Sequence, residues 1–156
     1  MTKTNAMRIL DKAKIVYKTI EYAYDENDLN GLTIAKSAGL PPAIVFKTIV
    51  ARGDKTGIIV MCVPVEKEVD LKKAAMESGN KRVEMLHVKE LLSSVGYMRG
   101  ACSPIGMKKN FPTYFDTSVT ENEETAVSGG MRGYQILLNS NSLLEFTKAK
   151  VCDITC

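Results

Sequence analysis

The sequence contains one histidine among its 156 residues, and this shortage limits the chemistry open to the protein. His87 alone cannot form a metal site, and the pair Cys152 and Cys156 lacks two further ligands at a suitable spacing. A Ser-His or Cys-His nucleophile would also depend on this one imidazole. We therefore expect no metal, no other cofactor and no catalytic triad.

Other absences argue against nucleotide-binding folds and membrane insertion. No segment matches G-x-x-x-x-G-K-[ST] or G-x-G-x-x-G, so neither a P-loop nor a dinucleotide-binding fold is indicated. No apolar run approaches the roughly 18 residues of a membrane span, and no basic start precedes an apolar stretch. The four cysteines are irregularly spaced, which is typical of reduced thiols in a chain with its own core. We expect a cytoplasmic protein without membrane contact.

With 45% hydrophobic residues, the length suits a single globular domain over residues 1–156. Helical and β patterns interleave without a regular βαβ repeat, which predicts an α+β fold. We expect a mixed sheet curled into a partly open, barrel-like core with surrounding helices. The predicted helices are one opening at Asn5 and segments 33–38, 70–78, 87–95 and 142–148. The predicted strands are 16–22, 43–51, 57–65, 83–86, 112–116, 125–128, 134–139 and 150–154.

Two glycine-rich basic stretches are the most informative part of the sequence. The first glycine stretch, residues 96–112, reads GYMRGACSPIGMKKNFP, and the second, residues 128–134, reads SGGMRGY. Repeated glycines let the backbone adopt positive φ and approach a ligand, and cations without acids suit an anionic one. One such loop by itself is more often a solvated surface turn. The four cations, which together exceed the net charge of +3, are Arg99, Lys108, Lys109 and Arg132.

Lys47 lies within the predicted strand AIVFKTIVA, which is largely apolar on both faces. Burying an unpaired ammonium costs several kcal/mol, so Lys47 there needs an anionic partner or an open cleft. In the alternative interpretation, its long stem simply reaches solvent at the strand end. The sequence leaves both interpretations open.

Hydroxyl and thiol groups on the predicted loops offer a further choice. Cys102 and Ser103 lie in the first glycine stretch, but no second imidazole is available to activate either as a nucleophile. We interpret Ser103 and Ser128 as hydrogen-bond donors instead. Cys62, inside an apolar predicted strand, is interpreted as a core residue.

Five segments, in this order and spacing, resemble the YbaK/EbsC family of bacterial aminoacyl-tRNA deacylases. They are VFKTIV, MCVPV followed by DLKK, KRVEM, GYMRGACSPIGMKK and SGGMRGYQILL. The family is similar to the editing insertion of bacterial prolyl-tRNA synthetase, and its YbaK branch hydrolyses Cys-tRNA(Pro) in trans. The resemblance therefore implies a trans-editing hydrolase that acts on the 3′ end of tRNA(Pro), with prolyl-tRNA synthetase as a partner.

The resemblance also implies roles for individual residues. It implies catalytic roles for Lys47, Gly100 and Ser128. At Gln135 the sequence carries an amide where the YbaK branch often carries an acid. The implied substrate-binding residues are Tyr22, Phe46, Ala101, Cys102, Ser103, Pro104, Ile105, Gly106, Gly129, Gly130, Arg132 and Gln135.

The absence of a triad is compatible with this chemistry, because an aminoacyl ester is already activated. Positioning the ester and stabilising the developing oxyanion can suffice without a protein nucleophile. The resemblance implies that the substrate's own cysteine thiol attacks the carbonyl and departs as a thiolactone. Two alternatives stay open: a deacylase of another small amino acid, such as Ala-tRNA(Pro), and a non-catalytic module that binds RNA ends or nucleotides.

Overall fold

The computed structural model describes residues 2–156, and this part of the chain contains five α-helices, eight strands and one 3₁₀ helix. The helices are α1 (Asn5–Lys12), α2 (Gly31–Ala38), α3 (Leu71–Ser78), α4 (Val88–Val95) and α5 (Ser140–Thr147). The strands are β1 (Tyr17–Glu21), β2 (Phe46–Gly53), β3 (Gly57–Pro64), β4 (Val83–Met85), β5 (Thr113–Asp116), β6 (Glu124–Ser128), β7 (Tyr134–Asn139) and β8 (Lys150–Cys152). Within residues 2–156, no helix has the length and apolarity to cross a membrane.

The strands form two sheets. A five-stranded sheet has the order β4-β2-β3-β5-β8 and mixes antiparallel pairs around β2 with parallel pairs around β5. A three-stranded antiparallel sheet has the order β1-β7-β6. The sheets meet just before β2, where the Ala126 N–H donates to the Ile44 carbonyl over 2.9 Å and Val45 forms a single parallel bridge with Ala126.

The predicted α+β fold with mixed strand directions is confirmed. In place of one sheet curled into a partly open, barrel-like core, the strands form two sheets, and the sheet is not closed into a barrel. β3 pairs with one edge of β2 along its whole length. On the other edge, β4 pairs only with residues 51–53, and β6 pairs only with the chain before β2. The second edge of β2 is therefore shared between two strands that do not meet, and the sheet cannot close there.

Helix ends follow the local sequence signals closely. Asp70 caps α3 by accepting from the Lys72 and Lys73 N–H groups, and Gly79 ends the helix in the left-handed region at φ 77°. At α1 the predicted cap, Asn5, is instead the first helical residue. Thr4 caps this helix, because its Oγ1 accepts from the Met7 N–H over 3.2 Å.

The largest hydrophobic core lies between the two sheets and is covered by α1 and α5. Phe46 of β2 stacks on Phe115 of β5 with ring centroids 5.9 Å apart. Cys62 is fully buried in this core, which confirms its interpretation as a core residue, and burial raises the pKa of its thiol to about 12. Val16, the first residue of the predicted strand 16–22, instead precedes β1 and is 87% exposed.

Candidate active site

A cavity of about 320 Å³ opens along the unpaired part of β2, between the ends of the two sheets. We call it the β2-edge cavity. Its walls are residues 45–50, the first glycine stretch, Ser128 and Gln135 from the three-stranded sheet, and apolar side chains from α4 and the start of α2. The divergence of β4 from β6 therefore creates the cavity, and the failure of the barrel to close leaves it open.

Backbone groups of β2 face this cavity. The Val50 carbonyl accepts from the Leu86 N–H, and the Ile44 carbonyl accepts from the Ala126 N–H, so both carbonyls point away from β3. Backbone direction alternates along a strand, so the N–H and C=O groups of Phe46 and Thr48 point the same way. No strand described in residues 2–156 pairs with these two residues on that side. They supply polar backbone groups to the cavity wall.

Lys47 reaches both an acid and the cavity. Its Nζ lies 3.1 Å from Oε1 of Glu68, whose side chain is 80% exposed, while the lysine side chain is 26% exposed. Lys47 also lines the β2-edge cavity. Because an exposed carboxylate holds an ammonium only weakly, Lys47 can exchange Glu68 for an anionic ligand at low cost.

A hydrogen bond between the two glycine stretches shapes the cavity. Ser128 Oγ donates to the Ala101 carbonyl over 2.9 Å and accepts from the Gly130 N–H over 3.1 Å. Gly100 has φ +84°, and a Cβ there would lie 2.9 Å from Leu29 Cδ1. The positive φ therefore favours glycine at Gly100, and a larger residue would also displace the end of the Leu29 side chain. Ser128 thus lines the cavity and fixes the loop that carries Gly100.

The same loop presents N–H donors. Gly100 and Cys102 both line the cavity. Within the described residues 2–156, their N–H groups have no acceptor in the protein, whereas the intervening Ala101 N–H donates to the Met98 carbonyl. Backbone donors without a protein acceptor, in residues that line an open cavity, are groups that a developing oxyanion could accept from.

Gln135 contributes a buried acceptor. It lies opposite Ser128 in the β6–β7 pairing, so the two side chains share a face of the three-stranded sheet. Gln135 is 5% exposed and lines the cavity, and its Oε1 has no hydrogen-bond partner in the part of the chain that the structure describes. A buried amide oxygen left unsatisfied costs stability, which is typical of a group that binds a ligand.

Cys102 also lines the cavity, but its environment disfavours the thiolate. Burial raises the pKa of the Cys102 thiol to about 11. Lys108, which could have lowered that pKa, donates instead to the Ser93 carbonyl over 3.0 Å. Cys102 is therefore a neutral thiol near neutral pH and a poor nucleophile.

Much of the cavity wall was not anticipated from the sequence. Thr48 and a group of apolar side chains line it without having been selected from the sequence. Met85 and Val88 are 49% and 58% exposed, so part of this wall is an apolar surface that only the structure reveals. The apolar residues are Leu29, Ile34, Val45, Ile49, Val50, Val65, Met85, Leu86, Val88 and Leu91.

The structure brings Lys47, Phe46, Gly100, Cys102, Ser128 and Gln135 together at this cavity. Ala101 and Gly130 adjoin it through their hydrogen bonds with Ser128, without lining it. Gly129 does not line it either, and its carbonyl accepts from Thr4 Oγ1. Ser103 is fully buried and accepts from the Ile105 N–H, so it supports the loop internally.

Other predicted residues lie elsewhere. Tyr22 and Arg132 line a separate surface cavity, with the Arg132 Nε donating to the Arg99 carbonyl. Ile105 is in the core, while Pro104 and Gly106 line a third cavity. The four cations of the glycine stretches are therefore dispersed, and only Arg99 among them lines the β2-edge cavity.

Comparison with known proteins identifies the family. Residues 32–146 match the model of the aminoacyl-tRNA editing domain. The chain belongs to the aminoacyl-tRNA editing domain family. A relative from Enterococcus faecalis, EbsC, is 46% identical over 153 residues, covering 98% of this chain and 93% of EbsC, and is named as a candidate Cys-tRNA(Pro)/Cys-tRNA(Cys) deacylase. This agrees with the resemblance seen in the five sequence segments.

Solved structures support the editing-domain fold. A candidate trans-editing enzyme for prolyl-tRNA synthetase superposes with a TM-score of 0.84 at 21% identity, covering 99% of each chain. A protein of unassigned function has a TM-score of 0.84 at 16% identity, covering 94% of this chain and 96% of its own. At these identities the likeness concerns the fold. All the residues that line the β2-edge cavity, apart from Leu29 and Gly31, lie within the matched segment.

Proposed function

We propose that the protein is a trans-editing hydrolase that removes cysteine from mischarged Cys-tRNA(Pro). The observation that carries the proposal is the content of the β2-edge cavity: a lysine and two unused N–H donors, with the neutral Cys102 as the one cysteine among the described residues that line it. This set can position and polarise an activated ester but has no evident protein nucleophile. The name of the 46% identical relative supports the same substrate class.

Each polar group has a distinct role in this proposal. Lys47 leaves Glu68 and pairs with a phosphate of the tRNA 3′ end. The N–H groups of Gly100 and Cys102 donate to the ester carbonyl oxygen as negative charge develops on it. Ser128 holds the loop that aligns these donors, and its link to Ala101 keeps the two glycine stretches together.

The amino acid itself is held by acceptors. The α-ammonium of the substrate donates to Oε1 of Gln135 and to the carbonyl of Thr48 or Phe46 on the open strand edge. The apolar wall then contacts the amino-acid side chain. Hydrophobic pockets separate small side chains by only a few kcal/mol, so shape contributes less to selectivity here than chemistry does.

The chemical step uses the substrate's own thiol. The cysteine sulfur attacks the ester carbonyl carbon, a C–S bond forms, and the C–O bond to the terminal ribose breaks. The thiol proton passes to the departing ribose oxygen, which releases uncharged tRNA and a four-membered thiolactone. Water then opens the thiolactone to cysteine, so the net reaction is hydrolysis.

The proposal extends to the context of the enzyme. We propose that residues 1–156 act as one domain, that prolyl-tRNA synthetase improves editing by presenting the charged tRNA, and that the reaction occurs in the cytoplasm, where the synthetase charges tRNA. Deacylation rates measured with and without added synthetase test the partnership directly.

A deacylation panel with Cys-, Ala- and Ser-charged tRNA(Pro) tests the proposed function. We expect rapid loss of cysteine and very slow loss of serine, since a hydroxyl of similar size ionises far less readily than a thiol with pKa about 8.5. Cys102→Ala should retain activity within several-fold of wild type. Fast hydrolysis of Ser-tRNA(Pro) or an acyl group trapped on Cys102 would contradict the thiol mechanism. Preferred release of alanine would favour a deacylase specific for Ala-tRNA(Pro). Binding of tRNA without any deacylation would favour a non-catalytic module.

A further inference from the structure

The third cavity, which Pro104 and Gly106 line, has a volume of about 680 Å³ and lies beside α1 and the end of α5. The proposed mechanism makes no use of it. We call it the α5-end cavity. Its walls come from the later part of the first glycine stretch, Ile9 of α1, and residues 146–148 at the end of α5. Its volume falls in the range of small-ligand sites.

The charged residues that line this cavity in the described chain are all basic. Lys109 and Lys148 line it, and no acidic residue does so among the described residues 2–156. Both lysines are exposed, and in that part of the chain neither ammonium forms a salt bridge or a hydrogen bond with the protein. The cavity therefore attracts an anion that can accept from two ammonium groups.

Aromatic surface accompanies the charge. Phe111 and Phe146 are both half-buried and line the same cavity, so each keeps part of its ring accessible. Rings beside lysines suit an unstacked RNA base with its phosphate, because bases stack on aromatic faces while ammonium groups neutralise the backbone.

The backbone at Lys148 is unusual for a lysine. Lys148 ends α5 in the left-handed region at φ 54°, a conformation that glycine or asparagine adopts at lower cost. A lysine kept in this position is consistent with a role for its ammonium. Lys14, at φ 60°, is the other non-glycine residue with positive φ in the described chain, and it lies outside the α5-end cavity.

The first glycine stretch contributes to both cavities. Cys102 lines the β2-edge cavity and Pro104 lines the α5-end cavity, so these two wall residues are at most about 7 Å apart by chain length. The two cavities therefore share one loop, and a molecule bound in one of them contacts the same chain segment that forms a wall of the other.

We propose that the α5-end cavity is a second RNA-binding site, which holds an unstacked nucleotide of the tRNA by stacking on Phe111 or Phe146 and by pairing its phosphate with Lys109 and Lys148. This inference rests on the proposed function for the identity of the RNA. It adds a tRNA contact outside the β2-edge cavity.

A tryptophan reporter tests the stacking. The chain contains no tryptophan, so Phe111→Trp or Phe146→Trp creates a single reporter. Uncharged tRNA(Pro) should quench each folded reporter, whereas inorganic phosphate alone should not. If tRNA binds by fluorescence anisotropy but leaves both reporters unquenched, the proposed site is wrong. Two reporter positions allow the test to proceed if one variant fails to fold.

Charge removal tests the phosphate contacts. Lys109→Gln with Lys148→Gln should raise the Kd for uncharged tRNA(Pro) about tenfold at low salt and should reduce the salt slope of log K by about 1.5. The control, Lys14→Gln with Lys18→Gln, loses the same charge outside the cavity and includes the matched left-handed lysine. Equal losses in both double variants would indicate non-specific attraction and would overturn the proposal.

Hydrolysis of 3′-O-cysteinyl-AMP, which keeps the terminal phosphate that Lys47 is proposed to bind but lacks the rest of the tRNA, separates the two proposals. The Lys109/Lys148 double variant should hydrolyse this small ester at the wild-type rate while acting more slowly on dilute Cys-tRNA(Pro). If the wild-type protein hydrolysed neither ester, the proposed function would be wrong. The reporter and salt measurements would still be valid tests of RNA binding. A slower reaction with the small ester in the double variant would contradict a separate site.

Discussion

At the scale of single residues, Lys47 combines a weak ion pair with access to the β2-edge cavity. Lys47→Ala should abolish deacylation of Cys-tRNA(Pro) while leaving the fold intact, because it removes the proposed phosphate partner and only an exposed salt bridge. Single-turnover deacylation and thermal unfolding measure the two effects. If the folded variant kept wild-type turnover, Lys47 would not have the proposed role in deacylation.

Two further substitutions are controls for this prediction. Glu68→Gln should leave the rate nearly unchanged, because Glu68 does not line the cavity and only neutralises Lys47 in the absence of substrate. Lys47→Arg should be inactive, since a planar guanidinium does not replace a compact ammonium in a narrow site. A strong loss of activity in Glu68→Gln would show that the ion pair itself is needed.

Replacing Gln135 should change stability and activity in opposite directions. Gln135→Leu removes an amide oxygen that is buried without a partner, so the free energy of unfolding should stay equal or rise by up to about 1 kcal/mol. The same variant should lose about tenfold in kcat/KM, because the α-ammonium loses an acceptor. Urea unfolding and deacylation kinetics measure both quantities.

The matched variant for Gln135 keeps an acceptor. Gln135→Glu should retain more activity than Gln135→Leu, since a carboxylate also binds an ammonium. If Gln135→Leu were fully active, the unsatisfied oxygen would have no role in catalysis and would be a cost of packing alone.

Sequence reasoning was strongest for residues with a specific physical requirement. Lys47 was a charged residue in an apolar strand, and the glycine at 100 indicated a loop that approaches a ligand. Thr48 carries no such signal, because it contributes backbone groups to the cavity wall. Whether those groups are free depends on strand pairing. The family resemblance implied that Ser103 and Pro104 bind the substrate, but the loop turns them away from the β2-edge cavity.

At the scale of elements, the glycine loop can be tested by comparing two glycines. Gly100→Ala and Gly79→Ala each place a side chain at a left-handed position, with φ of 84° and 77°, and each should cost about 1–2 kcal/mol. Only the first displaces a cavity residue, because its Cβ would lie 2.9 Å from the end of the flexible Leu29 side chain.

The two alanine variants should therefore lose similar stability but different activity. We expect at least a tenfold loss of deacylation in Gly100→Ala and almost none in Gly79→Ala, where the Cβ meets nothing within 4 Å. Similar rates for the two folded variants would mean that the position of this loop does not limit the reaction.

Local signals predicted the elements well and their assembly less well. The limits of α3 followed from Asp70 and Gly79, and the β2–β3 hairpin followed from two apolar runs around a short turn. Barrel closure depends on pairings distant in sequence. The short contact between Val45 and Ala126 leaves no periodic pattern that a single sequence could reveal.

At the scale of the whole molecule, Asp116 connects β5 to the C-terminal segment. One carboxylate oxygen accepts from the Ile154 N–H and Thr155 Oγ1, and the other accepts from the N–H and Oγ of Ser118. Burial opposes the charge, but these hydrogen bonds outweigh it and lower the pKa of Asp116 below its ordinary value of 3.8. The ionised form therefore stabilises the folded state.

The stabilisation by Asp116 should depend on pH in a defined direction. It is complete above the ordinary pKa and is lost as the pH falls through the lower folded-state value. Asp116→Asn should cost about 1–3 kcal/mol at pH 7, and the difference from wild type should shrink below about pH 3.8. Urea unfolding across this range is the measurement. Asp153→Asn, at an exposed salt bridge, should change stability little.

Helix α1 lies outside the segment that matches the editing-domain family, yet it contacts both glycine stretches. Thr4 Oγ1 donates to the Gly129 carbonyl over 2.6 Å, and Ile9 Cδ1 lies 3.0 Å from where a Cβ on Gly106 would be. A substitution in this helix can consequently shift both glycine stretches without changing any residue of the cavity wall. The shape of the β2-edge cavity thus depends on a segment that does not line it.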